Sequence, residues 1–288
     1  MSAFAYLGPA STAEAIAALA AHGDAAHLLA GGTAVVPLLK QGLIQPSIVI
    51  GLGGLDALRA VAIDGDTLEV GALTSLRDVE RHPLVRAHAP ALAAAVARVA
   101  TIRIRNQATI GGNLVHADPA QDPPPMLLAH DASVVLASER GTRTVELADF
   151  FVDVFETAIE PDEILTAIRV PRPATAARFA YEKFLPRTVD DYATVSVAVR
   201  LDLDADGAVA DARIALGNAG PIPFRAVEAE AILRGTTPSS GAFEGAAAAA
   251  ADASDPVDDV RGSRTYKQAM VRLWTARALA RAIGAGPR

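Results

Sequence analysis

Two adjacent glycines, Gly31 and Gly32, lie between a short apolar segment and a helical pattern, and this order restricts how the first part of the chain can fold. Residues 26–30 predict a buried strand, and residues 34–41 predict a helix that ends before Gly42. A strand that enters a helix through two glycines lets several backbone N–H groups converge at the positive end of the helix. Such a turn suits a phosphate group, but a plain tight turn accounts for the same residues, so both interpretations stay open here.

A second glycine-rich element occupies residues 108–122. Its donors are Thr109, Asn113 and the amides of the two glycines between them, and its acceptors are Asp118 and Asp122. Carboxylates of this kind suit the hydroxyls of a ribose or the amine of an adenine. Asparagine and aspartate are also common loop residues, so this element by itself is equally compatible with a simple loop.

Composition and charge narrow the class of protein. A chain of 288 residues is long enough for two domains. It has no cysteine, which excludes thiolate metal sites and cysteine-ligated iron–sulfur clusters on this chain. Acidic side chains outnumber basic ones by 33 to 26, so nucleic acid is not expected as the main partner. We find no basic leader and no apolar segment long enough for a membrane span, and we therefore expect a cytoplasmic protein.

The remaining motifs do not point to hydrolysis or metal chemistry. No Gly-Lys-Ser/Thr follows the first glycine pair, and Asp56 stands where a dinucleotide fingerprint beginning at Gly51 needs its last glycine. There is no Gly-x-Ser-x-Gly elbow, and the six histidines lack the spacing of metal ligands. We therefore predict no catalytic residue and no metal site on this chain.

The predicted elements divide the chain into two domains of the α+β class. Residues 1–175 form the first domain, with a small α/β part over residues 1–56 that contains a parallel strand pair. Residues 57–175 form a larger mixed part with a hairpin and an antiparallel sheet. Residues 178–288 form a C-terminal domain, in which an antiparallel sheet is followed by helices.

Some expectations concern single elements. Residues 83–99 predict a helical stretch, and a short strand is expected at Thr109 and Ile110. We place the domain boundary in residues 171–177, which read as a linker. Residues 264–283 predict a final helix, whose buried face is expected to be formed by Tyr266, Met270, Leu273, Ala276, Ala280 and Ile283.

The two glycine-rich elements occur together with several shorter motifs, and the combination closely resembles the FAD-binding medium subunit of the molybdenum hydroxylases. That family includes bacterial carbon monoxide, nicotine and xanthine dehydrogenases. The shared motifs run over nearly the whole chain: Ala30-Gly31-Gly32-Thr33 with Pro37, Lys40 and Gly42; Ile102-Arg103-Ile104-Arg105-Asn106; Thr109-Ile110-Gly111-Gly112-Asn113-Leu114 with Asp118-Pro119 and Asp122; Asp162-Glu163-Ile164-Leu165; and Tyr181-Glu182-Lys183-Phe184 with Arg187 and Asp191-Tyr192.

The resemblance implies a two-part FAD-binding domain similar to that of p-cresol methylhydroxylase and vanillyl-alcohol oxidase, followed by a smaller α+β domain. Members often have Asp or Ser where this chain has Ala34, so one side-chain hydrogen bond to the cofactor is expected to be missing. By this resemblance the first element wraps the FAD pyrophosphate with Leu28, Leu29, Ala30, Gly31, Gly32, Thr33, Ala34 and Val35. The second element completes the phosphate and ribityl cradle with Ala108, Thr109, Ile110, Gly111, Gly112 and Asn113, and Thr101 is a weaker addition.

The resemblance also implies roles for side chains outside the two turns. Asp122 would bond the adenosine part of FAD, with Asp118 as a further acceptor nearby. Leu165 would line the flavin pocket, and Lys183 would reach the cofactor from the C-terminal domain. Tyr192 falls where the family places a side chain beside the isoalloxazine, so its ring would cover one face of the flavin.

The function implied by the resemblance is electron transfer within a larger complex. A large partner subunit would carry the molybdenum cofactor, and a small partner subunit would carry [2Fe–2S] clusters. The FAD of this chain would pass their electrons to an external acceptor, and the complex would be a dimer of heterotrimers. The lack of cysteine agrees with this division, because this chain could not ligate the clusters itself.

Two other functions remain possible at this point. The first is a free-standing flavoprotein oxidase of the same FAD-domain class, in which His116 would be the only loop candidate for a covalent flavin link. Residues 178–288 are small for the substrate-binding cap of such an oxidase. The second is a cofactor-free assembly module that has kept the fold, and a visible absorption spectrum of the purified protein distinguishes it from both flavoproteins.

Overall fold

A small parallel sheet with two helices begins the fold. The computed structural model describes residues 3–173, 177–188 and 191–284. The first elements are β1 (Ala5–Leu7), α1 (Thr12–His22), β2 (Ala26–Leu29), α2 (Val35–Gln41) and β3 (Ile48–Gly51), and the strand order is β1-β3-β2. Both pairs are parallel. The predicted parallel pair is thus confirmed, and β1 adds a third strand that the sequence pattern did not reveal because it has only three residues.

Local signals determine where these helices begin and end. The hydroxyl of Ser11 accepts the backbone N–H of Glu14 at 3.2 Å and caps α1, which Gly23 ends with φ +48°. Gly42 ends α2 in the left-handed conformation at φ +72°, where a residue with a side chain would be strained. The predicted bounds of α2 are confirmed to within one residue.

A larger mixed part follows the small sheet. Its elements are β4 (Val61–Asp64), β5 (Thr67–Gly71), α3 (Leu76–Arg81), α4 (Pro83–His88), α5 (Pro90–Val96), α6 (Ile102–Gln107), α7 (Ile110–His116), α8 (Pro123–Ala129), β6 (Ser133–Ser138), β7 (Gly141–Glu146), β8 (Phe151–Asp153), β9 (Glu156–Thr157) and β10 (Ile164–Pro171). Five strands form an antiparallel sheet in the order β4-β5-β10-β6-β7, and β8 pairs separately with β9. The predicted β4–β5 hairpin is confirmed.

Two element predictions in this part are wrong. The stretch 83–99 is two helices, because Ala89 before Pro90 has the non-helical angles φ −132° and ψ 62° and separates α4 from α5. Thr109 and Ile110 do not form a strand. Thr109 caps α7 with its hydroxyl, and only a single bridge joins Thr109 to Ser75. The glycines and the asparagine of this helix interrupt its apolar pattern, so the sequence does not show the helical period of α7.

The C-terminal part is a second antiparallel sheet covered by helices. Its elements are β11 (Ala177–Phe184), β12 (Val195–Leu203), β13 (Val209–Gly217), β14 (Phe224–Arg225), α9 (Val227–Leu233), α10 (Ser240–Asp252) and α11 (Arg264–Ala282), with strand order β11-β12-β13-β14. Together with the first part, this arrangement confirms the α+β class. Of the predicted linker, Ala174, Thr175 and Ala176 lie outside the described residues.

The buried face of α11 differs from the expected one. Tyr266 and Leu273 are exposed, and the residues that face the core are Lys267, Val271, Thr275, Ala278, Leu279 and Ala282. Of the other residues expected on the buried face, Met270, Ala280 and Ile283 are partly buried at the margin of this core. Within the described residues no helix is long and apolar enough to cross a membrane, and no cluster of metal-ligating side chains occurs.

Candidate cofactor-binding site

The two glycine-rich elements, distant in sequence, are in direct contact in the fold. A Cβ added to Gly31 would stand 2.1 Å from the carbonyl oxygen of Gln107 and 3.1 Å from the Cα of Ala108. A Cβ added to Gly112 would lie 3.8 Å from the Cβ of Ala30. The main chain at Gly31 packs directly on the main chain of Gln107 and Ala108. Glycine is required at Gly31 because there is no space for a side chain. The structure therefore brings both elements to one place.

The first element presents a row of unused backbone donors. The amides of residues 31–35 donate no hydrogen bond to any residue that the structure describes, whereas the amide of Val36 already bonds the carbonyl of Gly32 at 3.0 Å. The first amides of any helix are free, but here the row extends back into the turn, where Gly32 has φ +72°. These five residues are half-buried. The turn therefore offers several N–H groups to a single anionic ligand.

Both glycine amides of the second element are used within the fold, contrary to expectation. The N–H of Ile110 bonds the carbonyl of Thr74 at 3.0 Å, and the N–H of Gly111 bonds that of Ala72 at 2.9 Å. The N–H of Gly112 bonds the hydroxyl of Thr109 at 3.1 Å. The Ile110 and Gly111 donors fasten α7 to the segment that follows β5, so these three amides are not available to a ligand, whereas the exposed Gly112 surface and the side chains are.

Asn113 carries a buried oxygen that has no partner. Its side chain is 8% exposed and its amide nitrogen contacts Gln121. Its Oδ1 accepts no hydrogen bond from the described residues. An unpaired buried acceptor costs free energy, on the order of 1–3 kcal/mol, unless a ligand or water supplies a donor. The orphaned oxygen is thus a second observation that fits a ligand between the two elements.

Asp118 and Tyr192 lie at the open side of the second element. The half-buried Asp118 uses one oxygen to accept the N–H of Ala120 at 2.9 Å, which leaves the other for a ligand hydroxyl. Burial, and next the negative charge of Asp118, raise the pKa of the Tyr192 hydroxyl. The Tyr192 ring is 47% exposed and is free to cover a flat ligand.

Asp122 and Lys183 are engaged with each other rather than exposed to a ligand. The Lys183 Nζ donates to Asp122 Oδ2 at 2.8 Å, and the hydroxyl of Tyr181 donates to Asp122 Oδ1 at 2.6 Å. Only 5% of the Asp122 side chain and 1% of the Lys183 side chain are exposed. The expected direct bond from Asp122 to adenosine is therefore not available in this arrangement. Lys183 keeps one of its three donors for a further partner.

Burial dominates the electrostatics of this cluster. It raises the pKa of Asp122, and the adjacent Lys183 ammonium opposes that shift. Burial together with the Asp122 charge raises the pKa of Tyr181, so Tyr181 remains a hydrogen-bond donor. The cluster joins α8 to strand β11 and thus ties the two parts of the chain together.

Sequence reasoning missed Arg98, which supports this cluster. Its guanidinium donates to the backbone carbonyls of Tyr181 at 3.2 Å and Lys183 at 3.3 Å, and its own carbonyl accepts the Lys183 ammonium at 3.0 Å. The guanidinium also lies 5.6 Å from the centre of the Tyr181 ring. No motif marks Arg98, because all of these contacts involve residues distant in sequence.

The other residues of the predicted motifs have roles in packing, helix capping or ion pairing. Leu165 is buried on β10 in the core of the first part. Thr101 is exposed and caps α6, accepting the N–H of Ile104 at 3.4 Å. Arg105 bonds Glu80 at 3.0 Å and the carbonyls before α6, so it is not free to bind a phosphate. His116 packs on the ring of Phe155 with centroids 5.1 Å apart.

Two family models match the chain. The model described as the FAD binding domain in molybdopterin dehydrogenase matches residues 2–173, and the model described as the CO dehydrogenase flavoprotein C-terminal domain matches residues 179–282. The chain belongs to this flavoprotein family of the molybdopterin dehydrogenases. It is an oxidoreductase subunit with an FAD-binding domain.

Curated relatives of this flavoprotein cover nearly its whole length. The carbon monoxide dehydrogenase medium chain of Hydrogenophaga pseudoflava is 37% identical over 96% of both chains. The 6-hydroxypseudooxynicotine dehydrogenase complex subunit alpha of Paenarthrobacter nicotinovorans is 35% identical and covers 97% of this chain and 94% of its own length.

Solved structures show the same fold as this flavoprotein. A carbon monoxide dehydrogenase from Hydrogenophaga pseudoflava that lacks the Mo-pyranopterin moiety superposes with a TM-score of 0.95 at 38% identity, covering 99% of both chains. Quinoline 2-oxidoreductase from Pseudomonas putida 86 superposes with a TM-score of 0.92 at 31% identity, covering 99% of this chain and 98% of its own.

Proposed function

We propose that this flavoprotein carries FAD in a molybdenum hydroxylase complex and passes electrons from the [2Fe–2S] clusters of a small partner subunit to an external acceptor. The proposal rests on one observation. The five unused amides of residues 31–35 lie against the second glycine-rich element, in which the buried Asn113 Oδ1 accepts no hydrogen bond from the described residues. A dinucleotide supplies both needs, since its diphosphate accepts hydrogen bonds and its hydroxyls donate them.

The first turn would hold the FAD diphosphate without any lysine or arginine. A hydrogen bond from a backbone N–H to an anionic oxygen contributes about 1.5–3 kcal/mol, so several together are sufficient for tight binding. In this proposal Leu28 to Val35 wrap the diphosphate and Ala108 to Asn113 close the opposite side. In this proposal the turn of residues 31–35 supplies the row of backbone donors.

Side chains would orient the rest of the cofactor. The oxygens of Asn113 and Asp118 would accept its hydroxyl donors, and Leu165 and Tyr192 would bound the flavin ring. Asp122 and Lys183, which are buried against each other, would support the site from behind. Bound FAD would accept and release electrons, a reaction that the side chains of this chain do not perform themselves.

The partner subunits follow from the relatives. The relatives are named as medium chains or complex subunits, and one solved relative is described as a Cu,Mo-CO dehydrogenase. We therefore infer a large subunit with the molybdenum cofactor and a small iron–sulfur subunit, assembled as a dimer of heterotrimers. With no cysteine, this chain would leave the iron–sulfur ligands to its partner. The acceptor and the cytoplasmic location remain predictions.

Loss of FAD from a folded variant tests the site. Gly112→Val places methyl groups between the two elements, where the added Cβ meets the Thr109 hydroxyl at 2.8 Å. Gly241→Val is a matched control, because Gly241 also lies in the first turn of a helix but has no atom within 4 Å of its Cβ position. We expect stoichiometric FAD, measured after acid release, in the native chain and the control but little in Gly112→Val.

A second experiment tests electron transfer. The complex is isolated through a tag on this chain, and its reduction by substrate is followed by electron paramagnetic resonance. In a complex containing Gly112→Val, substrate should still reduce the iron–sulfur clusters, but electrons should not reach a soluble acceptor. Equal acceptor reduction with and without FAD would reject the proposed role, and a colourless native chain that binds no added FAD would reject the site.

A further inference from the structure

Tyr192 is placed beside the second glycine-rich element by its backbone. Asn218 has the left-handed φ of +55° and donates its backbone N–H to the carbonyl of Pro119 at 2.7 Å. Its side-chain amide donates to the carbonyl of Ala193 at 2.7 Å. One residue thus joins the segment that follows Tyr192 to the segment that follows Asp118, independently of any ligand.

The Tyr192 ring is held by one side chain from a different part of the chain. The guanidinium carbon of Arg261 lies 5.9 Å from the centre of the ring. The same guanidinium donates to Asp191 Oδ1 at 3.1 Å, and this oxygen also accepts the backbone N–H of Tyr192 at 2.7 Å. The Tyr192 hydroxyl makes no hydrogen bond to a described residue, and its ring lies beside a guanidinium that is itself tied to the Tyr192 backbone through Asp191.

The loop that carries Arg261 is fixed by hydrogen bonds and by an ion pair to the last helix. Arg261 belongs to the loop of residues 253–263 between α10 and α11, and its backbone N–H donates to Asp259 Oδ1 at 2.7 Å. The other oxygen of Asp259 pairs with Lys267 at 2.8 Å, and Lys267 also bonds the carbonyl of Val257 at 2.8 Å. Lys267 is 1% exposed on α11. The loop is therefore fixed to the last helix by a buried ammonium.

We infer that Arg261 is a positioning residue, which sets the orientation of the Tyr192 ring over the bound cofactor. This inference rests on the proposed function, because the cofactor must lie between the glycine-rich elements for the Tyr192 ring to reach it. Among the described residues Arg261 bonds Asp191 and Asp259 and contacts the Tyr192 ring but neither glycine-rich element, so it would act through Tyr192. Its effect on the cofactor should therefore disappear when Tyr192 is removed.

A double-mutant cycle with the fluorescence of bound FAD tests this dependence. A phenol ring against the flavin quenches its fluorescence, and a cation–π contact at an exposed site shifts an equilibrium by roughly two- to fivefold. We expect Arg261→Ala to raise the fluorescence of bound FAD by a factor within this range. In the Tyr192→Ala background the same substitution should have no effect. Arg261→Lys should restore part of the quenching because it keeps the charge.

Arg264→Ala is the matched control for charge and location. Arg264 follows the same loop and pairs with Asp255 rather than with the Tyr192 segment. This variant should leave the fluorescence of bound FAD unchanged. An equal effect of Arg264→Ala, an equal effect of Arg261→Ala in both Tyr192 backgrounds, or no effect of Arg261→Ala would each overturn the inference.

A cofactor-free readout separates this inference from the proposed function. The chain has four tyrosines, so fluorotyrosine labelling yields four fluorine NMR signals, and Tyr192→Phe identifies the one that belongs to Tyr192. Arg261→Ala should move that signal and leave the other three in place. A protein that binds no FAD but shows this movement rejects the proposed function alone. A Tyr192 signal that does not move rejects the positioning by Arg261 even if FAD is bound.

Discussion

The carboxylate of Asp122 at the N-terminus of α8 and the ammonium of Lys183 on strand β11 lie 2.8 Å apart, and both side chains are almost completely buried. The Tyr181 hydroxyl also donates a hydrogen bond to Asp122, and the Arg98 carbonyl accepts one from Lys183. A buried ion pair of this kind adds little net stability but is costly to break, since the remaining charge has no solvent. It therefore fixes how the two parts of the chain meet behind the cofactor site.

Asp122→Asn should be strongly destabilising because it leaves Lys183 charged, buried and without its counter-ion. We expect the free energy of unfolding, measured in urea, to fall by about 3–5 kcal/mol. Glu160→Gln is the matched control, because Glu160 pairs with Arg140 at the surface, where both side chains are more than half exposed. This control should cost at most about 1 kcal/mol. Similar losses for the two variants would show that burial does not determine the strength of the Asp122 pair.

His130 should make stability depend on pH. Its ring is 1% exposed, stacks on Phe179 at 4.4 Å and has no partner among the described residues for either nitrogen. Burial, and next the charge of Arg200, lower the pKa of His130 from 6.5 to about 3. The fold favours the neutral ring, so its contribution is complete above about pH 6.5 and is lost progressively as the pH falls towards 3.

His130→Leu should remove this dependence. At pH 5 the native protein should have lost about 2 kcal/mol of its stability at neutral pH through this group. The unfolding free energies of the native protein and the variant are measured from pH 7 to pH 4. Their difference should change by about 2 kcal/mol between neutral pH and pH 5. The exposed His22→Leu variant serves as the control and should follow the native profile. Parallel profiles for His130→Leu and the native protein would contradict the prediction.

Gly31→Ala should disturb both the fold and cofactor binding. The added methyl would stand 2.1 Å from the carbonyl oxygen of Gln107, which belongs to the main chain and cannot rotate away. We expect a loss of about 1–3 kcal/mol in the free energy of unfolding and faster release of FAD, because the two elements must separate. Gly53→Ala is the control, since nothing lies within 4 Å of its Cβ position. Unchanged FAD release in Gly31→Ala would place the cofactor elsewhere.

Ala34→Ser should strengthen cofactor binding. The residue begins α2 beside the unused amides, and a hydroxyl there could donate to the diphosphate. We expect a gain of about 0.5–1.5 kcal/mol in the binding of FAD to apoprotein, measured by titration calorimetry. Ala34→Gly, which adds no donor, should not bind FAD more tightly. A serine variant that binds no better than the glycine variant would show that the hydroxyl does not reach the cofactor.

Much of the local structure could be predicted from the sequence. The strand, glycine pair and helix of residues 26–41 lie where the pattern indicates, and the hairpin turns at Gly65 with φ +58°. The residues from Val195 to Leu203 alternate between apolar and other side chains, and they coincide with strand β12. Each of these signals is local, since a capping residue, a glycine or a two-residue period acts within one turn or one strand. The resemblance to the flavoprotein family was likewise readable from short motifs, and it is confirmed.

What the sequence by itself determined is therefore the pair of glycine turns, the α+β class and the family. Only the tertiary structure decided which hydrogen-bonding groups remain available to a ligand. The amides of Ile110 and Gly111 are used because Thr74 and Ala72 bring their carbonyls to α7, and Asp122 is used because Tyr181 and Lys183 arrive from another sheet. Both outcomes depend on partners distant along the chain. A residue pattern states which groups can form hydrogen bonds, but packing determines which of them remain for a ligand.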